Sequence, residues 1–371
     1  MPSVADGLRQ LVAERFPGAT VERIAALAPD SGTGDEEKAI GYGRPLRVTI
    51  RTAGGAARDL VFRTATANEF GHDRRADRAE QILLAYDLFG RYPGHVQALD
   101  VGAIGADGRL VSLAGAGEFW LLTDWADGVL YAEDLRRIAR EGVARPLDLA
   151  RCDALARWLA ALHAHRRSDP PAWRRAVRDL LGHGEGIFGM VDGYPEAVPG
   201  APPDRLRRIE ERALAWRWRL RDRADRLART HGDFHPFNLL FRPTSADEDG
   251  TRFAVLDASR GGQGDPADDV VALGVNYVFF ALEHRAAWPE GLGVLWRRLW
   301  STYLAQGGDP GVLETAPPYL AWRALVLASP RFYPRLAPAA RAALLGFAER
   351  ALEAPGHDPG SADALFRLDE G

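Results

Sequence analysis

Hydrophobic and polar positions along this chain change character near residue 124. Residues 3 to 17 repeat at helical spacing, with Leu8, Leu11, Val12 and Phe16 on one face. Strand and turn signals dominate from residue 21 to about 124. Leu46-Arg47-Val48-Thr49-Ile50-Arg51-Thr52 alternates like a half-buried strand, Gly54-Gly55 turns it back, and Leu60-Val61-Phe62-Arg63-Thr64 reads as the next strand. A helix is expected over about 74–89, with Ala76, Ala79, Ile82, Leu83, Tyr86 and Phe89 on one side. Strand candidates follow at 96–104, 109–113 and 118–123, the first two joined by the hairpin signal Asp107-Gly108.

Beyond Asp124 the spacing is mostly helical. Periodic segments run at about 131–141, 147–166, 170–181 and 203–229, and again at 266–284, 289–306, 316–328 and 336–353. Strands with one helix, followed by many helices, predict an α+β chain with a small antiparallel-sheet lobe and a larger, mainly helical one. The expected division is 1–123 and 124–371. The tail from Gly356 reads as frayed.

Composition narrows the function. The 371 residues exceed one compact core. A formal charge of −4 argues against nucleic acid as a main partner. Cys152 is alone, so neither an internal disulfide nor a cysteine metal site is expected. No apolar run approaches the roughly 18 residues of a membrane span, and the first residues carry no signal pattern, so the expected location is the cytoplasm. Among 47 Lys and Arg the only lysine is Lys38. A cation needed elsewhere for phosphate must therefore be Lys38 or an arginine.

Chemistry concentrates between residues 231 and 257. His231-Gly232-Asp233-Phe234-His235-Pro236-Phe237-Asn238 is followed, after a turn-rich insert, by Phe253-Ala254-Val255-Leu256-Asp257. Moving a phosphoryl group to a hydroxyl is a problem of positioning and charge neutralisation. This order supplies its parts: Asp233 to accept the hydroxyl proton, Asn238 and Asp257 as oxygen ligands for magnesium, and His231 to brace the loop. His, Asp and Asn are also common turn residues, but the chain has three asparagines in all, so a chance meeting is the weaker explanation.

With Gly264-Asp265-Pro266-Ala267-Asp268-Asp269 downstream of Asp257, these residues resemble the aminoglycoside phosphotransferase and choline kinase superfamily, over nearly the whole chain. The resemblance implies a two-lobed protein-kinase-like fold. It also implies ATP and Mg2+ as cofactors, and a hydroxyl of an antibiotic, sugar, choline or amino-acid-like metabolite as acceptor. It places Asp233 as base and Asn238 and Asp257 as metal ligands. The chain departs from the family just after Asp257, where Ala258-Ser259-Arg260 stands in place of the common Trp-Glu. That puts the adjoining acceptor wall in question. His235 fits a common variant of the loop in a supporting role.

The remaining candidates depend on context. Arg63 stands where a kinase needs a third-strand cation for the α- and β-phosphates, with Glu80 as its helix partner and Asp87 as the competitor. Gly32-Thr33-Gly34 and Gly41-Tyr42-Gly43 both offer a short phosphate-covering loop, with Lys38 between them. The hinge is expected at 123–127, where the backbone of Asp124, Trp125 and Ala126 would read the adenine edge. Asp265 with Pro266 reads as a helix start that props the catalytic loop, with Asp268 or Asp269 as the alternative holders of a cationic substrate. The glycine-dense stretch 182–189 brings backbone close to a ligand or a helix, or simply ends a helix. Trp158, Leu159, Leu162 and His163 share a helix face and read as core. The function these residues support is ATP- and Mg2+-dependent phosphorylation of a small-molecule hydroxyl. The alternative is a nucleotide-binding regulatory protein that has lost transfer. A protein kinase fits less well, because barely a dozen residues separate Asp257 from the next helix.

Overall fold

A computed structural model describes residues 3–27, 45–242, 249–258 and 260–366. Both short glycine motifs, Lys38, Ser259 and the insert residues 243–248 fall outside that set. Contacts divide the chain into two units, Met1–Thr123 and Asp124–Gly371.

The first unit opens with helix α1, Val4–Arg15. Ser3 caps it, taking the Asp6 amide on its side chain while the Asp6 carboxylate takes the Ser3 amide in return. Three antiparallel strands follow in the order β1 (Thr20–Ala26), β2 (Leu46–Arg51) and β3 (Ala57–Phe62). Leu46 pairs with Phe62 and Arg51 with Ala57. Alternation points Val48 and Ile50 inward, where they meet Leu8 and Val12 of α1 in a small core. β3 ends one residue before Arg63. Helix α2 spans Arg75–Leu88, and none of its residues is buried. The Asp107-Gly108 turn joins β4 (Gly102–Ile104) to β5 (Leu110–Ser112).

The expected strand at 118–123 does not form. Phe119-Trp120-Leu121-Leu122 is an unbroken apolar run, all of it exposed, and no strand among the described residues pairs with it. Without alternation such a run offers no inward face to fix a register.

The second unit is mostly helices: α3 (Tyr131–Glu141), α4 (Pro146–His163), α5 (Pro170–Gly182), α6 (Ile187–Asp192), α7 (Pro203–Leu220), α8 (Ala267–Leu282), α9 (Leu292–Ala305), α10 (Val312–Ala328) and α11 (Pro338–Glu353). Helix α8 is apolar almost all round and is buried along nearly its whole length, as a central helix must be. Its first turn carries the acids that reach the loop at 231–238. Two small sheets frame that loop. One has the order β6 (Val129–Leu130), β8 (Leu239–Phe241), β9 (Phe253–Val255), and the other pairs β7 (Ala228–Arg229) with β10 (Gln263–Gly264). α7 stops at Leu220 rather than continuing to 229. The chain then makes a 3-10 turn at Ala224–Arg226 and enters β7, which leads directly into the loop.

Two further expectations are corrected together. α10 begins four residues before the expected start, with Pro317 and Pro318 inside it. Pro317 has no N–H to give the Leu313 carbonyl. The His357 amide takes that carbonyl instead. The tail from Gly356 to Phe366 is therefore docked rather than frayed. Pro359–Leu365 forms a 3-10 helix, Phe366 stacks on Trp288 with centroids 4.1 Å apart, and the Trp296 indole N–H donates to the Pro359 carbonyl.

The His357 ring lies among Trp296, Trp300 and Phe347, with a buried Nε2 that has no hydrogen-bond partner among the described residues. Burial holds its pKa down at about 4 against the usual 6.5. The unfolded chain thus binds this proton more readily. Docking contributes its full stability above pH 6.5 and loses it as pH falls toward 4. Linkage puts the loss at about 2 kcal/mol between pH 7 and pH 5. Thermal melts of wild type and His357→Phe at both pH values check this: the gap between the two proteins should shift by that amount in favour of the variant at pH 5.

Candidate active site

β7 delivers the chain into a loop whose backbone is held from below by Asp269. The amides of His231 and Gly232 donate to its two carboxylate oxygens at 2.7 and 2.8 Å. The His163 ring bonds the same carboxylate at 3.2 Å and is itself steadied by the Tyr303 hydroxyl at 2.9 Å. Burial opposes the charge on Asp269, but the His163 contact and the two amides outweigh it and leave its pKa lowered. His163 is thus buried, as a core residue would be, and also part of the support.

Gly232 has φ +83°, and a Cβ there would press at 3.3 Å on the Arg260 Cβ and the Gly261 carbonyl. Only glycine fits this position comfortably. The His231 ring accepts the Asp233 amide at 3.3 Å and stands edge-on to Phe234, which stacks on Trp158 at 5.0 Å. His231 therefore shapes the turn on which Asp233 sits.

Asp233 is buried, and cations surround its carboxylate. Arg323 of α10 donates to one oxygen at 2.6 Å, and the Arg260 Nε lies 3.6 Å from that same atom. The His235 Nε2 is 3.4 Å from the other oxygen, and the Asn238 amide is 3.5 Å away. Burial alone would raise the carboxyl. The His235 hydrogen bond and the Arg323 and Arg260 charges outweigh it and hold Asp233 well below the usual carboxylate range.

Arg323 does more than pair with Asp233. It also donates to the Gly232 carbonyl at 2.8 Å and to Asp268 at 2.8 Å, so one guanidinium is shared by two carboxylates. Burial raises the Asp268 pKa, because a single cation cannot fully offset both anions. Asp265 is similarly engaged: Arg226 grips it through two 2.8 Å contacts, and the Ala267 amide and Thr315 hydroxyl complete its shell. Helix α8 starts one residue later than expected, but the Asp265 side chain still caps it.

Asn238 directs its amide nitrogen to the Asp233 carbonyl at 3.0 Å, and its carboxamide oxygen makes no hydrogen bond among the described residues. Antiparallel pairing of β8 with β9 sets the two ends side by side, and the Leu256 amide donates to the Asn238 carbonyl at 2.8 Å. Asp257 follows at once, exposed and with φ +52°, a left-handed conformation otherwise confined to glycines among the described residues. Such geometry at a non-glycine carries strain and often marks a working residue.

The structure thus brings His231, Asp233, Asn238 and the Asp257 backbone to one locus. Arg63 and Glu80 are both exposed in the first unit, and no ion pair joins them among the described residues. Asp124, Trp125 and Ala126 open the second unit without regular structure. Their backbone groups take no hydrogen bond among the described residues, and the Trp125 indole donates to Asp127.

The sequence reading did not single out Arg323. A signal was available, since it is the only charge in the apolar stretch 315–328. A lone arginine on such a helix must find a buried partner. The glycines at 182–189 are explained in part by packing: a Cβ on Gly189 would fall 2.0 Å from the Gly184 carbonyl, and one on Gly186 2.5 Å from the Asp179 carbonyl. The same loop presents Glu185 to Arg260 at 3.4 Å and accepts the Trp322 indole N–H on its backbone at 2.6 Å.

A small antiparallel α+β unit and a mainly helical unit that carries this loop make up the chain. The chain belongs to the phosphotransferase enzyme family (APH), whose family model matches residues 47–305. Membership makes it a phosphotransferase. No curated protein matches the sequence. Among solved structures it is similar to a glucosamine kinase, at 14% identity and TM-score 0.40, covering 93% of this chain and 99% of that one. It is also similar to an aminoglycoside phosphotransferase from Streptomyces rimosus, at 17% identity and TM-score 0.33, covering 88% and 98%. A microcompartment-associated aminopropanol kinase aligns at 14% identity and TM-score 0.37, covering 97% and 98%. No helix among the described residues is long and apolar enough to cross a membrane.

Proposed function

We propose that this protein transfers the γ-phosphoryl group of ATP to a hydroxyl of a small molecule, with Asp233 receiving the hydroxyl proton. The observation that carries this reading is the Asp233 carboxylate, kept ionised by His235 and Arg323 on a loop whose backbone is locked to Asp269. A carboxylate that is ionised at rest orients the hydroxyl and is free to take its proton as the phosphoryl bond forms.

Magnesium is the metal the residues suit. Asn238 offers a carboxamide oxygen and Asp257 an exposed carboxylate, both hard donors. No group of three His, Cys, Asp or Glu converges among the described residues. That fits an ion which binds one or two protein oxygens and takes the rest of its shell from phosphates and water. When bound, it would neutralise charge on the phosphates. The first unit is assigned to the nucleotide, with Arg63 as the phosphate cation and Glu80 as its partner once ATP is present. The open backbone of Asp124, Trp125 and Ala126 suits the adenine edge.

A nucleotide-binding protein without transfer is the second reading, favoured by Arg63 and Glu80, which form no ion pair with each other among the described residues. The test is a coupled ADP-release assay across aminoglycosides, sugars, choline and amino alcohols, with and without Mg2+ and with Asp233→Asn as the blank. Mg2+-dependent ADP formation with any acceptor, above the blank, removes the second reading. Its absence across every acceptor class removes the first.

A further inference from the structure

We propose that the acceptor bears an anionic oxygen group, a carboxylate or a phosphate, near the hydroxyl that is phosphorylated, and that Arg260 holds this group over Trp322. The inference rests on the phosphotransferase reading of Asp233 and adds the chemical class of substrate to it.

The hydrogen-bond accounts around Asp233 are lopsided. The carboxylates at the start of α8 and just before it are already claimed. Asp268 is held by Arg323, Asp269 by the His231 and Gly232 amides with His163, and Asp265 by Arg226, Thr315 and Ala267. A polycationic acceptor would find few unspent anions there. Donors are in surplus instead. Arg260 makes no hydrogen bond among the described residues; its nearest anions are Asp233 at 3.6 Å and Glu185 at 3.4 Å, too long for charge-assisted bonds. Its side chain is about three-quarters covered yet still reachable, with the guanidinium 5.2 Å from the Trp322 ring centroid. Arg323 lies 4.0 Å from the same ring, and its Nε is buried with no hydrogen-bond partner among the described residues. Two guanidiniums on one indole, with donors left over, suit oxygen acceptors of negative charge.

The placement follows from two sequence features whose purpose was open. Arg260 closes the tripeptide that departs from the family after Asp257. Glu185 sits in the glycine-dense loop, whose backbone fixes the Trp322 indole. Both therefore bear on the same wall, next to the catalytic carboxylate. An anionic acceptor would draw Arg260 away from exposed Glu185 and leave Arg323 on Asp233.

The experiment compares acceptors matched in skeleton but not in charge: D-glycerate and D-gluconate, glycerol 3-phosphate and glucose 6-phosphate, glycerol and glucose, glucosamine and kanamycin. ADP release is measured for wild type, Arg260→Gln, Arg260→Lys and the Asp233→Asn blank. Calorimetry with a non-hydrolysable ATP analogue present measures acceptor binding directly. Turnover is expected to favour one of the anionic pairs, and which pair it is separates carboxylate from phosphate. Arg260→Gln should raise the KM for that acceptor at least about tenfold, the loss of a charged hydrogen bond, with the KM for ATP little changed, and Arg260→Lys should restore part of it. Preference for the neutral or cationic members overturns the proposal while leaving phosphotransfer intact. So does a fall in kcat that is equal for all acceptors in Arg260→Gln with KM unchanged, which would place Arg260 on Asp233 or the phosphoryl group rather than on the acceptor. If no acceptor turns over but an anionic one binds in an Arg260-dependent way, the phosphotransferase reading fails and the anion site stands. No turnover and no such binding overturns the proposal as well.

Discussion

Asp233→Asn is expected to lower kcat by about 10²–10⁴-fold, the usual contribution of a positioned general base, while the KM for ATP changes little. Asparagine keeps the shape of the side chain and can still accept from Arg323, so the loop should stay folded. Its anchors to Asp269 run through the backbone of His231 and Gly232, not through the Asp233 side chain. What disappears is the negative charge that attracts the hydroxyl proton. Steady-state kinetics with the acceptor found by the screen, alongside circular dichroism to verify folding, measures this. A kcat within threefold of wild type would remove Asp233 from the role. The wild-type pH–kcat profile carries a companion signature: because Asp233 is held well below the ordinary carboxylate range, it contributes no acid limb near neutrality.

Arg323→Gln should produce the largest loss of stability. It leaves Asp233 and Asp268 without their shared cation inside the second unit. Removing one partner from a buried pair costs about 3–5 kcal/mol, and differential scanning fluorimetry should show it as a clearly lowered melting temperature. Arg323→Lys should recover only part, because an ammonium cannot span Asp233, Asp268 and the Gly232 carbonyl in one planar fork. The sign of the pH effect follows from the same contacts. Arg323 lowers the Asp233 pKa, so its loss raises that pKa and moves the acid limb of kcat to higher pH. A variant that melted with wild type and kept its pH profile would show that Arg323 neither supports nor charges the base. Adding Asp268→Asn should relieve part of the cost, since residues sharing one network do not add.

The loop from His231 to Asn238 and the strand before Asp257 were legible because their chemistry is local. The residues lie within one stretch, at spacings that suit a loop between short strands. The helical second unit was legible for a related reason, since the 3.6-residue repeat is a local property of the chain. Where local signals failed, a non-local partner had decided the outcome. The run at 118–123 looked like a strand but found no ladder, and the tail looked frayed because nothing nearby showed that Pro317 frees a carbonyl for His357.

By itself, then, the sequence determined the class of chemistry, the boundaries of most helices, and the identity of the proposed base and metal ligands. Tertiary structure decided the electrostatics of that base. Arg323 lies 90 residues from Asp233 along the chain, and Asp269 lies 38 from His231. Only packing of α10 and the first turn of α8 onto the loop brings these charges within bonding distance. Coulombic and hydrogen-bond energies depend on separation in space rather than along the chain. For the same reason Arg260 was only a departure from a pattern until folding set it beside Trp322, Glu185 and the Asp233 carboxylate.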